Sequence, residues 1–182
     1  MEPGPPVEMD RKIHIVQGEY HVSDESNVML STLLGSCVAA CIRDPIAGVG
    51  GMNHFLLPGA DDSEGVRYGV QAMELLMNSL FSRGARRERM EAKLFGGARL
   101  QAGLTDVGAE NAAFAERFLR SEGIRYLGGS LRGDQARRIQ FWPVSGRARQ
   151  ALLARNEEAV FAAERVRREA PKPDTGGDLE LF

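Results

Sequence analysis

The chain is poor in the residues that usually staple or anchor a protein: two cysteines, three histidines and one tryptophan in 182 residues, with aromatics at 7%. Cys37 and Cys41 are too few for the disulfide framework of a small secreted domain, and a reducing compartment would keep both as thiols. An excess of one charge is missing as well. The net charge of −2 leaves no basic footprint for nucleic acid. No apolar run approaches the roughly 20 residues that span a bilayer. The first dozen residues carry prolines and acids where a secretory signal would have its apolar stretch. A cytoplasmic protein without membrane insertion is the resulting expectation.

What is present is ordinary for a globular domain: 43% hydrophobic and 26% charged residues, in a length that supports one sizeable core. Residues 1–11 read as a flexible leader, 12–152 as the domain, and 153–182 as a C-terminal helix and flexible tail. Strands are expected at Ile13–Val16, Val28–Leu34, Ala92–Phe95, Ile124–Leu127 and Arg138–Trp142. The polar stretch Gly59–Tyr68 reads as a surface loop. Apolar residues from Val70 to Phe81 recur with helical spacing, and a second helix is expected over about Ala109–Ser121. From Arg147 a charged surface helix is expected to run to about Glu169. Together these elements predict an α/β fold, a single-domain sandwich of mixed, largely antiparallel sheet with packed helices.

The informative stretch is Leu34-Gly35-Ser36-Cys37-Val38 through Asp44-Pro45 to Gly50-Gly51-Met52-Asn53-His54. Asp-Pro is a turn signal, and the flanking apolar runs suit two paired strands. A hairpin folded between Pro45 and Ile46 sets Cys37 directly opposite His54 and Cys41 opposite Gly50. Opposed residues share a sheet face with Cβ atoms roughly 4.5–5.5 Å apart, close enough for a thiol to meet an imidazole.

An imidazole that removes the thiol proton turns cysteine into an effective nucleophile. The Gly35-Ser36 turn would present Cys37 where the backbone N–H groups of Ser36 and Cys37 can hold an oxyanion. Cys41, deeper in the strand, is assigned to packing. Ser31 or Thr32, on the preceding strand, offers a hydroxyl to orient His54. Cys37, Cys41 and His54 could also ligate zinc, though the spacing lacks an obvious fourth ligand of the kind a structural site uses; the thiol chemistry itself needs no metal or organic cofactor.

These residues resemble the CheD family of chemoreceptor glutamine deamidases. The resemblance continues through Lys93-Leu94-Phe95-Gly96-Gly97-Ala98, Val107-Gly108, Asn111, Glu122-Gly123-Ile124, Gly128-Gly129, Arg137-Arg138 and the closing Leu179-Glu180-Leu181-Phe182. It implies a fold similar to that of toxin-type glutamine deamidases. The implied activity is hydrolysis of glutamine side-chain amides on methyl-accepting chemotaxis receptors, a protein-glutamine glutaminase reaction. Carried over by motif, the nucleophile is Cys37 and the base His54. The family's threonine, six positions before the cysteine, falls on Ser31, with Thr32 adjacent. Glu110 stands where the family often has arginine. The family also brings a possible partner, the CheC phosphatase.

Overall fold

A computed structural model describes residues 9–58, 63–103 and 105–154. In chain order the elements are β1 (Arg11–His14), β2 (Tyr20–Ser23), β3 (Val28–Leu34), β4 (Val38–Asp44), β5 (Val49–Asn53), α1 (Ser63–Ser82), β6 (Glu91–Gly96), α2 (Val107–Ser121), β7 (Arg125–Leu131), β8 (Arg137–Phe141) and β9 (Ala148–Leu152). The strands form two sheets, β1-β3-β8-β9 and β2-β5-β4-β6-β7. Pairing is antiparallel except between β1 and β3 and between β6 and β7. The expected α/β sandwich of mixed, largely antiparallel sheet is the fold observed.

Strand β4 explains the layering. Its sequence Val-Ala-Ala-Cys-Ile is apolar at every position, as a strand covered on both faces requires. Val38, Ala40 and Ile42 join Met73, Leu76 and Leu80 of α1 and Phe114, Phe118 and Leu119 of α2 in one core. Ala39 and Cys41, of opposite parity, join Leu30, Leu34, Ile139 and Phe141 of the other sheet in a second core, which also takes in Cys37. The order of layers is therefore helices, five-stranded sheet, four-stranded sheet.

Several expectations need correction. Helix α1 begins at Ser63, so Ser63–Tyr68 is helical instead of loop. The polarity of that stretch is that of a solvent-facing helical turn, with Gly65 alone buried among Ser63–Tyr68; the next residue, Gly69, packs closely, since a Cβ there would lie 2.6 Å from Leu57 and 2.7 Å from Phe114. Ala148–Leu152 is an edge strand paired with β8, where the charged pattern suggested the start of a helix. At the N-terminus, Arg11 opens β1 and Asp10 accepts a hydrogen bond from the Trp142 indole at 3.0 Å, so these two residues belong to the folded domain. Residues 1–8 of the expected leader, the expected helix from residue 155 onward and the closing tail lie outside the described residues.

The hairpin register also differs. Asp44 pairs with Val49 and Cys41 with Met52, two residues out from the expected pairing of Cys41 with Gly50. The turn holds four residues, Pro45 to Gly48, because the Asp44 carboxylate accepts from Ile46 N at 2.9 Å and Ala47 N at 3.0 Å. Gly48 closes it at φ +68°, a conformation available to glycine at little cost. A shift of two residues preserves face parity. Cys37 and His54 thus remain on one face, offset along the strands rather than directly opposed.

Candidate active site

His54 follows the last residue of β5 and is held on both sides of its own peptide. Its N–H donates to Glu19 O at 3.1 Å, and its carbonyl accepts from Gly18 N at 2.8 Å. The preceding Asn53 replaces a main-chain ladder bond, its Oδ1 accepting from Ala40 N at 2.9 Å. The chain leaves the regular ladder here and is nonetheless fixed.

The imidazole reaches across to the four-stranded sheet. His54 Nδ1 lies 2.8 Å from Thr32 Oγ1, and Thr32 Oγ1 donates its proton to Ile15 O at 2.6 Å. A hydroxyl has one proton to give. With that proton committed to Ile15, Thr32 accepts from His54 Nδ1–H, which fixes the tautomer and leaves the lone pair on Nε2. Both side chains are buried, Thr32 at 0% and His54 at 7% exposure.

The two candidate hydroxyls are separated by strand parity. Val28, Leu30 and Leu34 of β3 face the other sheet; Thr32 is in phase with them, whereas Ser31 is out of phase. Ser31 pairs with His14 on one side and Gln140 on the other. The geometry brings Thr32, and not Ser31, to His54.

Cys37 sits just ahead of β4 in the core between the sheets, 5% exposed. Three consecutive carbonyls anchor its turn. Gly35 O accepts from Ala98 N at 2.9 Å, Ser36 O from Asn111 Nδ2 at 2.9 Å, and Cys37 O from Gly97 N at 2.8 Å. Gly96 approaches so closely that a Cβ there would lie 2.1 Å from Cys37 O, and its φ is +106°. No residue with a side chain fits that position without moving the cysteine.

One group at the site escaped the sequence reading. The thiol of Cys37 contacts Gln17 Oε1 at 3.6 Å, so a carboxamide from the exposed loop after β1 rests on the buried sulfur. Its nearness depends on how β1 lies beside β3, which no local motif announces. Cys41 presents the contrast: burial pushes its thiol far above the ordinary cysteine value, against a smaller opposing pull from Lys93. His21 is lowered by burial first and then by Arg83 and Arg11. His21 lies on β2, paired with Met52. Among the described residues, no cluster of three or more His, Cys, Asp or Glu side chains is arranged to hold a metal ion. Nor is any described helix long and apolar enough to cross a membrane.

The fold and site define a class: a two-sheet sandwich with one helical face, in which a thiol and a hydroxyl-anchored imidazole share the space between the sheets. Comparison with known proteins then narrows it. A family model described as "CheD chemotactic sensory transduction" matches residues 56–151. A Caulobacter vibrioides protein named "Probable chemoreceptor glutamine deamidase CheD" is 58% identical over 178 residues, covering 94% of this chain and 93% of its own. Proteins of the same name from Acidiphilium cryptum and Rhizobium leguminosarum bv. trifolii are 58% and 53% identical, each match covering 94% of this chain and 94% and 96% of theirs. The chain belongs to the CheD family. Among solved structures, a Neisseria meningitidis protein of the DUF152 family aligns with TM-score 0.46 and 13% identity over 66% of this chain and 63% of its own.

Proposed function

We propose that this chain hydrolyses glutamine side-chain amides of chemoreceptors to glutamate and ammonia, with Cys37 as nucleophile and His54 as general base and acid. The observation that carries the reading is the hydrogen-bonded line from Ile15 O through Thr32 Oγ1 to His54 Nδ1, on the face that also holds Cys37. It leaves Nε2 as the basic nitrogen, the role that thiol activation needs. The Gln17 carboxamide on the sulfur supports the choice of substrate, since the site already accommodates that group. The names of relatives above 50% identity support the chemoreceptor as its bearer.

In the proposed sequence, His54 Nε2 takes the thiol proton and the sulfur adds to the amide carbon. The backbone N–H groups of Ser36 and Cys37 hold the oxyanion. The carbon–nitrogen bond breaks as His54 returns the proton to the departing amine, giving ammonia and a thioester. Water, deprotonated by His54, adds to the thioester carbonyl and expels the thiolate, leaving glutamate. No electrons are transferred, and water is the sole co-reactant. Thr32 orients the ring, and Ser31 has no part in the chemistry. The product carries a negative charge where the receptor was neutral, so the reaction changes signalling through charge. The setting is cytoplasmic, at the receptor's cytoplasmic part, and a CheC-type phosphatase is the partner that the family adds.

Peptide-level mass spectrometry of a receptor cytoplasmic fragment tests the reading. Wild type is expected to add about one dalton at particular glutamines, and Cys37→Ala to add nothing. Equal mass gain with Cys37→Ala would overturn it, as would peptide-bond cleavage in place of deamidation.

A further inference from the structure

Asn111 lies on α2, behind the sheet that carries Cys37, and is fully buried at 0% exposure. Both ends of its carboxamide are used. Nδ2 donates to Ser36 O at 2.9 Å, and Oδ1 accepts from Leu57 N at 3.0 Å. One side chain thus ties the turn that ends in Cys37 to the segment three residues beyond His54.

The first of these bonds has a geometric consequence. The chain has no cis peptide bonds among the described residues, so each peptide N–H points opposite to the C=O of the preceding residue. With Ser36 O drawn toward α2, the Cys37 N–H is turned away from α2. Helix α2 packs in the core on one side of the five-stranded sheet, while Cys37 belongs to the core on the other side. The N–H therefore points to the side of the thiol, where an oxyanion would form. The neighbouring carbonyls of Gly35 and Cys37 are held by backbone donors, Ala98 N and Gly97 N. At the Ser36–Cys37 peptide the lock is a side chain, and so it can be removed by substitution.

We propose that Asn111 is a positioning residue for the oxyanion site: it sets the plane of the Ser36–Cys37 peptide so that the Cys37 N–H faces the reacting carbon's oxygen. The proposal deepens the deamidase reading and rests on Cys37 being the nucleophile. Asn111 touches neither substrate nor sulfur in this account. Its effect belongs to steps that develop an oxyanion, and not to the reactivity of the thiol as such.

That distinction supplies the test. Iodoacetamide alkylates a thiol by direct displacement at a saturated carbon, without an oxyanion. A short peptide carrying glutamic semialdehyde in place of glutamine adds to the thiol as a tetrahedral hemithioacetal, whose oxygen occupies the oxyanion position. Both reactions are measured on the full chain for wild type, Asn111→Asp and Asn111→Ser, with thermal unfolding to confirm that each variant is folded at the assay temperature. Asn111→Asp keeps the acceptor for Leu57 N and loses the donor to Ser36 O. Asn111→Ser is the second variant should the buried carboxylate prevent folding.

The folded variant is expected to alkylate within about twofold of wild type, while semialdehyde affinity and the deamidation kcat fall by about 10²-fold, the effect of losing one oxyanion donor. Unchanged semialdehyde affinity in a folded variant would overturn the proposal. So would a parallel loss of alkylation, which would mean that Asn111 merely keeps the thiol in place. Failure of the wider reading looks different: wild type would bind the semialdehyde and show the Asn111 dependence, yet leave receptor glutamines intact.

Discussion

The two ends of strand β4 put buried polar groups to opposite uses. At the Asp44 end every side-chain bond closes on the protein's own frame. One carboxylate oxygen takes Ile46 N and Ala47 N, and the other takes Arg86 N and the Arg89 guanidinium. At the Cys37 end the carbonyls are tied back to Gly97, Ala98 and Asn111, while the thiol, in contact with Gln17, and the imidazole, held by Thr32, face the space between the sheets. The first arrangement spends its polarity on stability. The second holds the backbone rigid around the two side chains to which the proposed chemistry is assigned. The two cysteines repeat the lesson, since Cys41, four residues along on the same face, is driven toward the inert thiol form by burial.

This contrast is broken most severely at the imidazole. His54→Gln is expected to lower deamidation by about 10²–10⁴-fold, the usual contribution of a general acid–base, with melting temperature little changed. A comparable loss of stability would show that His54 is a frame residue like Asp44.

The opposite end should respond in reverse. Asp44→Asn is expected to cost about 2–3 kcal/mol in denaturant unfolding, because buried N–H donors and Arg89 lose their acceptor. The kcat of the folded fraction should stay at the wild-type value. The pH dependence sharpens this. Burial alone would raise the Asp44 carboxyl, but the N–H donors of Ala47, Arg86 and Ile46 and the Arg89 side chain outweigh it and hold it below the ordinary value. With the folded value depressed, the stabilisation is complete above the unfolded carboxyl's pKa, about 3.9, and is lost as pH falls through the folded one. The stability gap between wild type and Asp44→Asn should therefore close in acid. A gap that persists at the lowest pH would contradict the ionised carboxylate.

A smaller effect is expected at Thr32. Thr32→Val removes the acceptor for His54 Nδ1–H and should lower kcat by about tenfold, the scale of one buried hydrogen bond. Thr32→Ser should retain most of the activity, and Ser31→Ala all of it. Loss of activity with Ser31→Ala alone would restore Ser31 as the orienting residue. The smallest effect belongs to Cys41→Ser: folded wild type, despite its two thiols, should take up iodoacetamide only at Cys37 and so match the variant, and a second label on folded wild type would contradict the burial of Cys41.

Much of the sandwich could be read from the chain, because β3, β4 and α1 bury whole faces and their apolar periods are unambiguous. The misreadings fall where burial is partial. Ala148–Leu152 is an edge strand with four exposed residues, so its charged side chains mimic a helix surface. β2 is short and was not anticipated, since half of its four residues escape full burial. At the site, the cysteine and histidine were legible from the hairpin and the resemblance, and their shared face survived a register error because the error was even. Which hydroxyl meets the imidazole was also written in the alternation Val28, Leu30, Thr32, Leu34, though counting back from the cysteine led to Ser31. Gln17 and the bonding of Asn111 depend on contacts between distant segments, for which a single sequence carries no local signal.

The central claim is that the amide carbon becomes covalently attached to Cys37 before water reaches it. Hydroxylamine competes with water for a thioester, so a receptor fragment incubated with the enzyme and hydroxylamine should yield glutamyl hydroxamate at the deamidated positions. Hydroxamate that rises with hydroxylamine concentration, and that is absent with Cys37→Ala, is the result predicted here. Glutamate formed by wild type with no hydroxamate at any hydroxylamine concentration would mean that water attacks the amide directly and that Cys37 is not the nucleophile.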